Sequence, residues 1–248
     1  MLVLAGMGVH DCMDTSLKAV EACKKADAVY AELYTSRIED FDRLKGVIGR
    51  EIKILERSDL EEGAKRLIEE ARDRDVVLLV PGDPMVATTH SALRLEAEKA
   101  GVRVKVIHGS SIASAICVTG LQFYRFGKTA TVSWPLGSRV SRYPVDVIRQ
   151  NWSVNAHTLL LLDLNPPMRV PDAVDLLFKA GMEDWFAVAL SDAGGENEMR
   201  CDRLSRLKDF RGEGLHSLAV LARTLHFMEY EYLRVFADAP KELEEIVS

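Results

Sequence analysis

The chain has 248 residues, of which 48% are apolar and 28% charged, enough for the core and surface of one large or two modest globular domains. Its 38 acidic and 32 basic residues give a net charge of -6, and the absence of a long basic block in the sequence argues against non-specific nucleic-acid binding. No apolar run in the sequence approaches the roughly 20 residues that cross a bilayer. Residues 1–6 lack the features of a signal peptide, so we expect a cytoplasmic protein without direct nucleic-acid or membrane partners.

The first half of the sequence alternates strands and helices. Apolar runs predict strands at 2–5, 28–31, 76–80 and 102–107. Helical spacing predicts helices from about Asp14, after a capping-box pattern at Ser58 and Glu61, and between Thr88 or Thr89 and Gly101. Such alternation is typical of an α/β domain with a mostly parallel sheet.

A second set of elements follows Gly120. Strands are predicted at 129–134, 158–162, 185–190 and 217–221, with helices around Val147 and Val174. We therefore expect two α/β domains, residues 1–112 and 113–248.

The most informative motif is the run Pro81–His90, which follows the buried strand at 76–80. It contains two prolines, a glycine and the carboxylate of Asp83, so the strand cannot continue through it. In α/β folds, ligands bind just beyond the carboxyl ends of parallel strands. The motif therefore predicts either a ligand-binding loop or a strand-to-helix turn capped by Thr88 or Thr89.

Other patterns allow weaker functional readings. Gly6 and Gly8 after a strand invite a dinucleotide reading, but Asp11 occupies the third glycine position of that fingerprint. Ser110 and Ser111 predict either a helix cap or a ligand contact. His10-Asp11 reads as a loop pair or a capping acid, and His216 beside an apolar strand as structural. The basic stretch at 200–211 reads as a solvated face or a surface for an acidic partner.

Cysteines and histidines give no metal-binding pattern. The cysteines are far apart and form no CxxC pair, which favours reduced thiols in a cytosolic protein. The histidines show no HExxH spacing, and no GxSxG motif supports a serine hydrolase. We therefore expect no metal cofactor.

Several segments together resemble the diphthine synthases, S-adenosylmethionine-dependent methyltransferases of diphthamide biosynthesis. In chain order they are 6–9, 31–36, 82–90, 111–115, 120–128, 157–163, 225–226 and 230–233. The resemblance covers nearly the whole chain, and its most specific parts are Gly82–His90 and Tyr34-Thr35-Ser36.

The resemblance implies a fold and a donor site. It implies the tetrapyrrole methylase-like architecture of two α/β domains with the methyl donor bound in a cleft between them, usually in a homodimer. Matched residue by residue, the S-adenosylmethionine site would use Val9, Asp83, Val86, Ser111 and Ile112 from the first domain and Leu162, Ala193 and His216 from the second.

The resemblance also implies a substrate. This is the amino group of the 3-amino-3-carboxypropyl side chain on a modified histidine of translation elongation factor 2, trimethylated to diphthine. The residues identify no catalytic base for that reaction.

Two departures from the family pattern lie near the second-domain part of the donor site. Ala222-Arg223 stands where the family commonly has Pro-Gly, and Ser191-Asp192 where it often has Ala-Arg. These departures allow the alternative of a non-enzymatic partner of the translation factor that has kept the fold. A tetrapyrrole methylase, with the same fold and methyl donor, is the other alternative.

Overall fold

The computed structural model describes residues 1–36, 38–61 and 63–248, with the side chain of Glu61 also outside the description. The chain divides into two compact units, Met1–Ala113 and Ser114–Ser248. Both units combine a sheet with helices, which confirms the predicted α/β class.

The first unit is built on a parallel sheet with strand order β3-β2-β4-β1-β5. Its strands are β1 Leu2–Gly6, β2 Ala28–Glu32, β3 Lys53–Leu55, β4 Val76–Val80 and β5 Val104–Ile107. Its helices are α1 Leu17–Lys25, α2 Phe41–Ile48, α3 Arg57–Glu61, α4 Ala64–Asp73 and α5 His90–Lys99, and α6 Ile112–Ala115 contains the boundary between the units.

Both faces of this sheet are covered, which explains its continuous apolar strands. Val3 and Ala5 of β1 join one hydrophobic cluster, with residues of α1 and α2. Leu2 and Leu4 join the cluster on the opposite face, with residues of α4 and α5. Because successive strand side chains point to opposite faces, β1, β2, β4 and β5 each contribute to both clusters.

The second unit has a mixed sheet with strand order β6-β7-β10-β8-β9. Its strands are β6 Ala130–Val132, β7 Thr158–Leu162, β8 Phe186–Ser191, β9 Glu198–Arg203 and β10 His216–Val220. Its helices are α7 Tyr143–Ser153, α8 Val170–Lys179 and α9 Phe227–Phe236. The pair β6–β7 is parallel, and β10 runs antiparallel to both β7 and β8.

Some elements differ from the sequence prediction. Three elements were not predicted: β3, β9 and α2. The strand β3 was missed because it is short and largely exposed, and β9 because most of its residues are charged. Ser58 lies inside α3 rather than before a long helix, and α4 is a separate helix. The capping-box partner of Ser58, the side chain of Glu61, lies outside the described residues. Thr89 precedes α5, but its side chain makes no capping hydrogen bond.

Candidate functional site

Glycines bring three loops into close contact at the carboxyl edge of the first sheet. A Cβ on Gly6, at the end of β1, would lie 2.4 Å from the carbonyl oxygen of Gly82 and 2.6 Å from the amide nitrogen of Gly109. Gly82 also exchanges backbone hydrogen bonds with Gly8, at 2.7 and 3.3 Å. The loops after β1, β4 and β5 therefore pack backbone against backbone, as the missing side chains allow.

Asp83 is buried in the loop after β4 and holds that loop to the next one. Its Oδ1 accepts from the amide of Met85 at 2.8 Å. Its Oδ2 accepts from His108 Nδ1 at 2.8 Å and from the amide of Gly109 at 3.3 Å. Asp83 thus joins the loop after β4 to the loop after β5.

The other expected first-domain donor residues lie on the same edge. The amide of Val9 donates to Asp14 Oδ2 at 3.1 Å, and Val86 is an apolar side chain that is 37% exposed. Ser111 is buried, and its Oγ accepts from the amide of Ala113 at 3.2 Å, which is the capping role foreseen for it. Ile112 begins α6. The structure therefore brings all five expected residues to the loops after β1, β4 and β5.

The family-specific residues Thr35 and His90 lie at the same edge, around Glu32 at the end of β2. Glu32 is fully buried and accepts from the amides of Tyr34 and Thr35, each at 3.1 Å, and from the Thr35 hydroxyl. Burial raises the pKa of Glu32 despite these hydrogen bonds, and burial lowers the pKa of His90 to about 4. The Thr88 hydroxyl contacts His90 Nδ1. Because its pKa is about 4, the buried His90 imidazole is neutral at pH 7.

The second unit likewise collects its expected donor residues at one edge of its sheet. Leu161 of β7 pairs with Ser217 of β10, and His216 pairs with Ser191 at the end of β8. Leu162 and His216 are therefore neighbours, and Ala193 follows β8 in the adjoining loop.

His216 is held by its own domain through both ring nitrogens. Nδ1 accepts from the amide of Val170 at 3.1 Å, so Nε2 carries the hydrogen and donates to the carbonyl of Gly212 at 2.7 Å. Burial, the largest influence, lowers the pKa of His216. Because both ring nitrogens are engaged, His216 would contact a bound methyl donor through its ring face or its backbone.

A buried network in the second unit centres on Glu229, which sequence reasoning did not single out. Its Oε1 accepts from the amide of Gln122 at 3.0 Å and from His157 Nε2 at 3.2 Å. Its Oε2 accepts from Arg125 Nη1 at 2.6 Å and from the amide of His226 at 3.1 Å. The family-like segments 120–128, 157–163 and 225–226 therefore meet at one buried carboxylate, and there they hold the fold together.

The departure at Ala222-Arg223 completes this network. The amide of Ala222 donates to His157 Nδ1 at 2.9 Å, a hydrogen bond that a proline at 222 could not make. The Arg223 guanidinium lies 3.7 Å from the ring centroid of Trp152 and 4.2 Å from that of Trp185, and it also pairs with Glu183. Both residues thus have local structural partners.

The basic stretch at 200–211 is largely neutralised within the chain. Arg200 pairs with Asp209 at 2.8 Å, and Lys208 pairs with Asp175. Arg206 lies within ion-pair distance of Asp202. This favours the solvated-face reading over a surface for an acidic partner.

The described residues show neither a metal-binding cluster nor a membrane-spanning helix. Within residues 1–36, 38–61 and 63–248, no cluster of histidine, cysteine or acidic residues is arranged to hold a metal ion. In the same part of the chain, no helix has the length and apolar character that a membrane span requires.

Comparison with known proteins identifies the class of methyltransferase to which the chain belongs. Residues 1–205 match the family model described as Tetrapyrrole (Corrin/Porphyrin) Methylases, so the fold and its loops are those of a methyltransferase of this class. Among curated proteins, the diphthine synthase of Archaeoglobus fulgidus is 54% identical, with 100% of both chains covered. The diphthine synthase of Methanocaldococcus jannaschii is 37% identical over 96% of this chain and 99% of its own.

Solved structures of diphthine synthases have the same fold as this chain. A crystal structure of diphthine synthase superposes with a TM-score of 0.95 at 52% identity, covering 99% of both chains. That of a putative diphthine synthase from Entamoeba histolytica gives 0.87 at 29% identity, covering 97% of this chain and 99% of its own. The chain belongs to the diphthine synthase family. It is an enzyme, a methyltransferase of diphthamide biosynthesis whose class uses S-adenosylmethionine, and the non-enzymatic alternative is set aside.

Proposed function

We propose that the chain transfers three methyl groups from S-adenosylmethionine to the amino group of 2-(3-amino-3-carboxypropyl)histidine on translation elongation factor 2, giving diphthine. The observation that carries the proposal is the 54% identity to a diphthine synthase along the whole chain, through both units. A protein of related fold but different substrate would be expected to diverge in the segments that bind that substrate.

The loops at the carboxyl edge of the first sheet suit an S-adenosylmethionine site. Gly82 has a φ of +69°, and a Cβ added there would find only the carbonyl oxygen of Ser110 within 4 Å, at 3.9 Å. Its bare backbone therefore borders open space, and Val86 offers exposed apolar surface in the same loop. We propose that Val9, Asp83, Val86, Ser111 and Ile112 hold the donor from this unit, and Leu162, Ala193 and His216 from the other.

The donor supplies a methyl group already activated on a sulfonium. The protein's task is then to fix donor and amine in line and to keep the amine deprotonated, and such positioning supplies most of the rate enhancement. The rigid contact of the loops after β1, β4 and β5 suits that task.

The donor site is tested by replacing Asp83. Asp83→Ala removes the acceptor that joins two of the loops, so we expect weaker S-adenosylmethionine binding by isothermal titration calorimetry. Asp42→Ala, at an exposed carboxylate on α2, is the matched control and should bind normally. Equal affinities for the two variants would remove Asp83 from the proposed site.

The reaction is tested by the intact mass of elongation factor 2 that carries the unmethylated intermediate, after incubation with the enzyme and S-adenosylmethionine. Three added methyl groups are expected, and factor lacking the modified histidine is the control. Four methyl groups would indicate an additional ester. No change in mass, with donor binding shown separately, would favour a tetrapyrrole substrate of the kind the family model names.

We further propose that the enzyme acts as a homodimer in the cytoplasm, where its substrate works. The dimer rests on the family resemblance. Sedimentation equilibrium of the purified chain, of 27.6 kDa, should give twice the mass of the monomer, and a monomer over the working concentration range would contradict this.

A further inference from the structure

The loop after β5 holds an exposed imidazole against a buried carboxylate. His108 Nδ1 lies 2.8 Å from Asp83 Oδ2, and the two side chains are 73% and 7% exposed. Because an ionised carboxylate can only accept, Nδ1 carries the hydrogen and Nε2 keeps its lone pair. Within the described part of the first unit, no hydrogen bond engages Nε2.

This arrangement is suited to accept a proton. A carboxylate that fixes the Nδ1–H tautomer orients the imidazole and supports the imidazolium that forms when Nε2 takes a proton. Asp83 is itself fixed by the amides of Met85 and Gly109, so it can orient His108. Histidine is the side chain that ordinarily titrates near neutral pH, and the exposure of His108 lets it pass a proton on to solvent.

The imidazole also lies among the loops proposed to bind the donor. His108 directly follows β5, in the loop that carries Ser111 and leads to Ile112 at the start of α6. Its partner Asp83 lies in the loop that carries Val86. An amine placed for attack on a donor held by these residues would come to the same edge of the sheet.

We propose that His108, oriented by Asp83, accepts the proton that the substrate amino group loses before each methyl transfer. This inference rests on the function proposed above. In each round the ammonium gives one proton to Nε2, and the freed lone pair forms the new N–C bond. The C–S bond breaks, its electron pair stays on sulfur, and S-adenosylhomocysteine leaves as a neutral thioether. His108 then releases the proton to water, so three rounds shed three protons and end in a quaternary ammonium.

The other charged and titratable groups near this loop lie on the loops after β4 and β1 and on β5. Asp83 contacts it directly from the loop after β4. The loop after β1 carries Asp14, which accepts from the amides of Val9 and His10, and the titratable side chain of His10. On β5 itself, Lys105 is exposed.

The test measures single-turnover methyl transfer to intermediate-bearing elongation factor 2 across pH, at saturating S-adenosylmethionine. We expect His108→Gln to lose about 100-fold in rate at pH 7, the usual contribution of a general base. The wild-type rate should rise with pH to a plateau, and that rise should be missing in His108→Gln. Free imidazole should restore rate to His108→Ala. Lys105→Gln, which removes an exposed charge from β5 just before His108, should match the wild type in rate and profile.

Calorimetry in parallel should give the same S-adenosylmethionine affinity for His108→Gln and the wild type. A His108→Gln rate equal to the wild-type rate would overturn the base assignment and leave the proposed function standing. Parallel loss of rate and donor affinity, with an unchanged pH profile and no imidazole rescue, would make His108 a donor-positioning residue and also overturn it. A wild type that binds donor yet never methylates the factor would instead refute the proposed function.

Discussion

The two units each contain a carboxylate paired with a histidine, and the pairs differ in exposure. In the second unit, Glu229 and His157 are both fully buried. In the first unit, Asp83 is buried but His108 is 73% exposed. The residues are alike in chemistry, and their surroundings separate a group that holds the fold from one that is free to react.

The two carboxylate–histidine pairs also differ in how many of their hydrogen-bonding positions are occupied. Glu229 accepts from four donors, and both nitrogens of His157 are engaged, so that pair has no capacity left for a ligand. The Asp83–His108 pair leaves Nε2 open in the described part of the first unit. A motif that marks the family can therefore serve the core, as at 120–128, or the loops of a site, as at 82–90.

The largest loss of stability is expected from Glu229→Gln. A carboxamide offers one acceptor oxygen where four donors point, and its NH₂ group would face two of them. Removing the charge also leaves Arg125, only 16% exposed, without its partner. Breaking a buried ion pair in this way costs about 3–5 kcal/mol in the free energy of unfolding, measured here by urea denaturation.

Glu231→Gln is the matched control for this change. Glu231 lies on the same helix, α9, but pairs with Arg234 in an exposed position. Its loss should change the free energy of unfolding by about 0.5 kcal/mol or less. If the two variants unfold at the same urea concentration, the Glu229 network does not stabilise the fold as described.

Acid should destabilise the protein in two stages. Burial lowers the pKa of His90 from 6.5 to about 4. Between these pH values the unfolded chain binds a proton that the folded state excludes, so the free energy of unfolding decreases as the pH is lowered. Burial alone would raise the pKa of Glu229, but the hydrogen bonds from His157 and from the amides of Gln122 and His226 outweigh it and lower that pKa below 4.5. The contribution of Glu229 is therefore complete above pH 4.5 and lost as pH falls through its folded pKa.

Urea denaturation between pH 7 and pH 3 resolves the two stages. His90→Gln should flatten the slope of stability against pH between about 6.5 and 4, and Glu229→Gln should flatten it below about 4.5. Wild-type slopes in both variants would show that other groups carry the acid sensitivity.

An intermediate effect is expected from Gly6→Ala. The new Cβ would meet backbone atoms of Gly82 and Gly109, which cannot move aside as a flexible side chain does. Overpacking of this kind costs about 1–3 kcal/mol, and the displaced loops should also bind S-adenosylmethionine more weakly. Denaturation and calorimetry measure the two effects on one preparation.

Gly46→Ala provides the opposite expectation. Gly46 lies within α2, and a Cβ there would meet nothing within 4 Å. Alanine should therefore stabilise the protein by about 0.5–1 kcal/mol through the backbone entropy of the unfolded chain. Destabilisation by both alanines to the same extent would contradict the close packing inferred at Gly6.

The sequence allowed the strands that feed the site to be predicted, because buried parallel strands are continuous apolar runs such as Val76–Val80. The rule that ligands bind beyond strand ends pointed to Asp83. The same rule applied to β5 would have pointed to His108, which immediately follows Ile107. Nothing in the sequence paired His108 with Asp83, however, because that contact joins residues from separate loops. Glu229 was equally hidden, because its donors come from distant segments that only the folded chain brings together.

The smallest effect on stability is expected from His108→Gln, and it sharpens the comparison between the two pairs. The imidazole is mostly exposed and makes one hydrogen bond, whereas Asp83 keeps its bonds to the amides of Met85 and Gly109 without it. The free energy of unfolding should therefore change by about 0.5 kcal/mol or less. His157→Gln, which breaks both hydrogen bonds of a fully buried ring, should cost about 1–3 kcal/mol by the same measurement. A large loss of stability in His108→Gln would place that histidine with the structural pair, and its exposure would then carry no catalytic meaning.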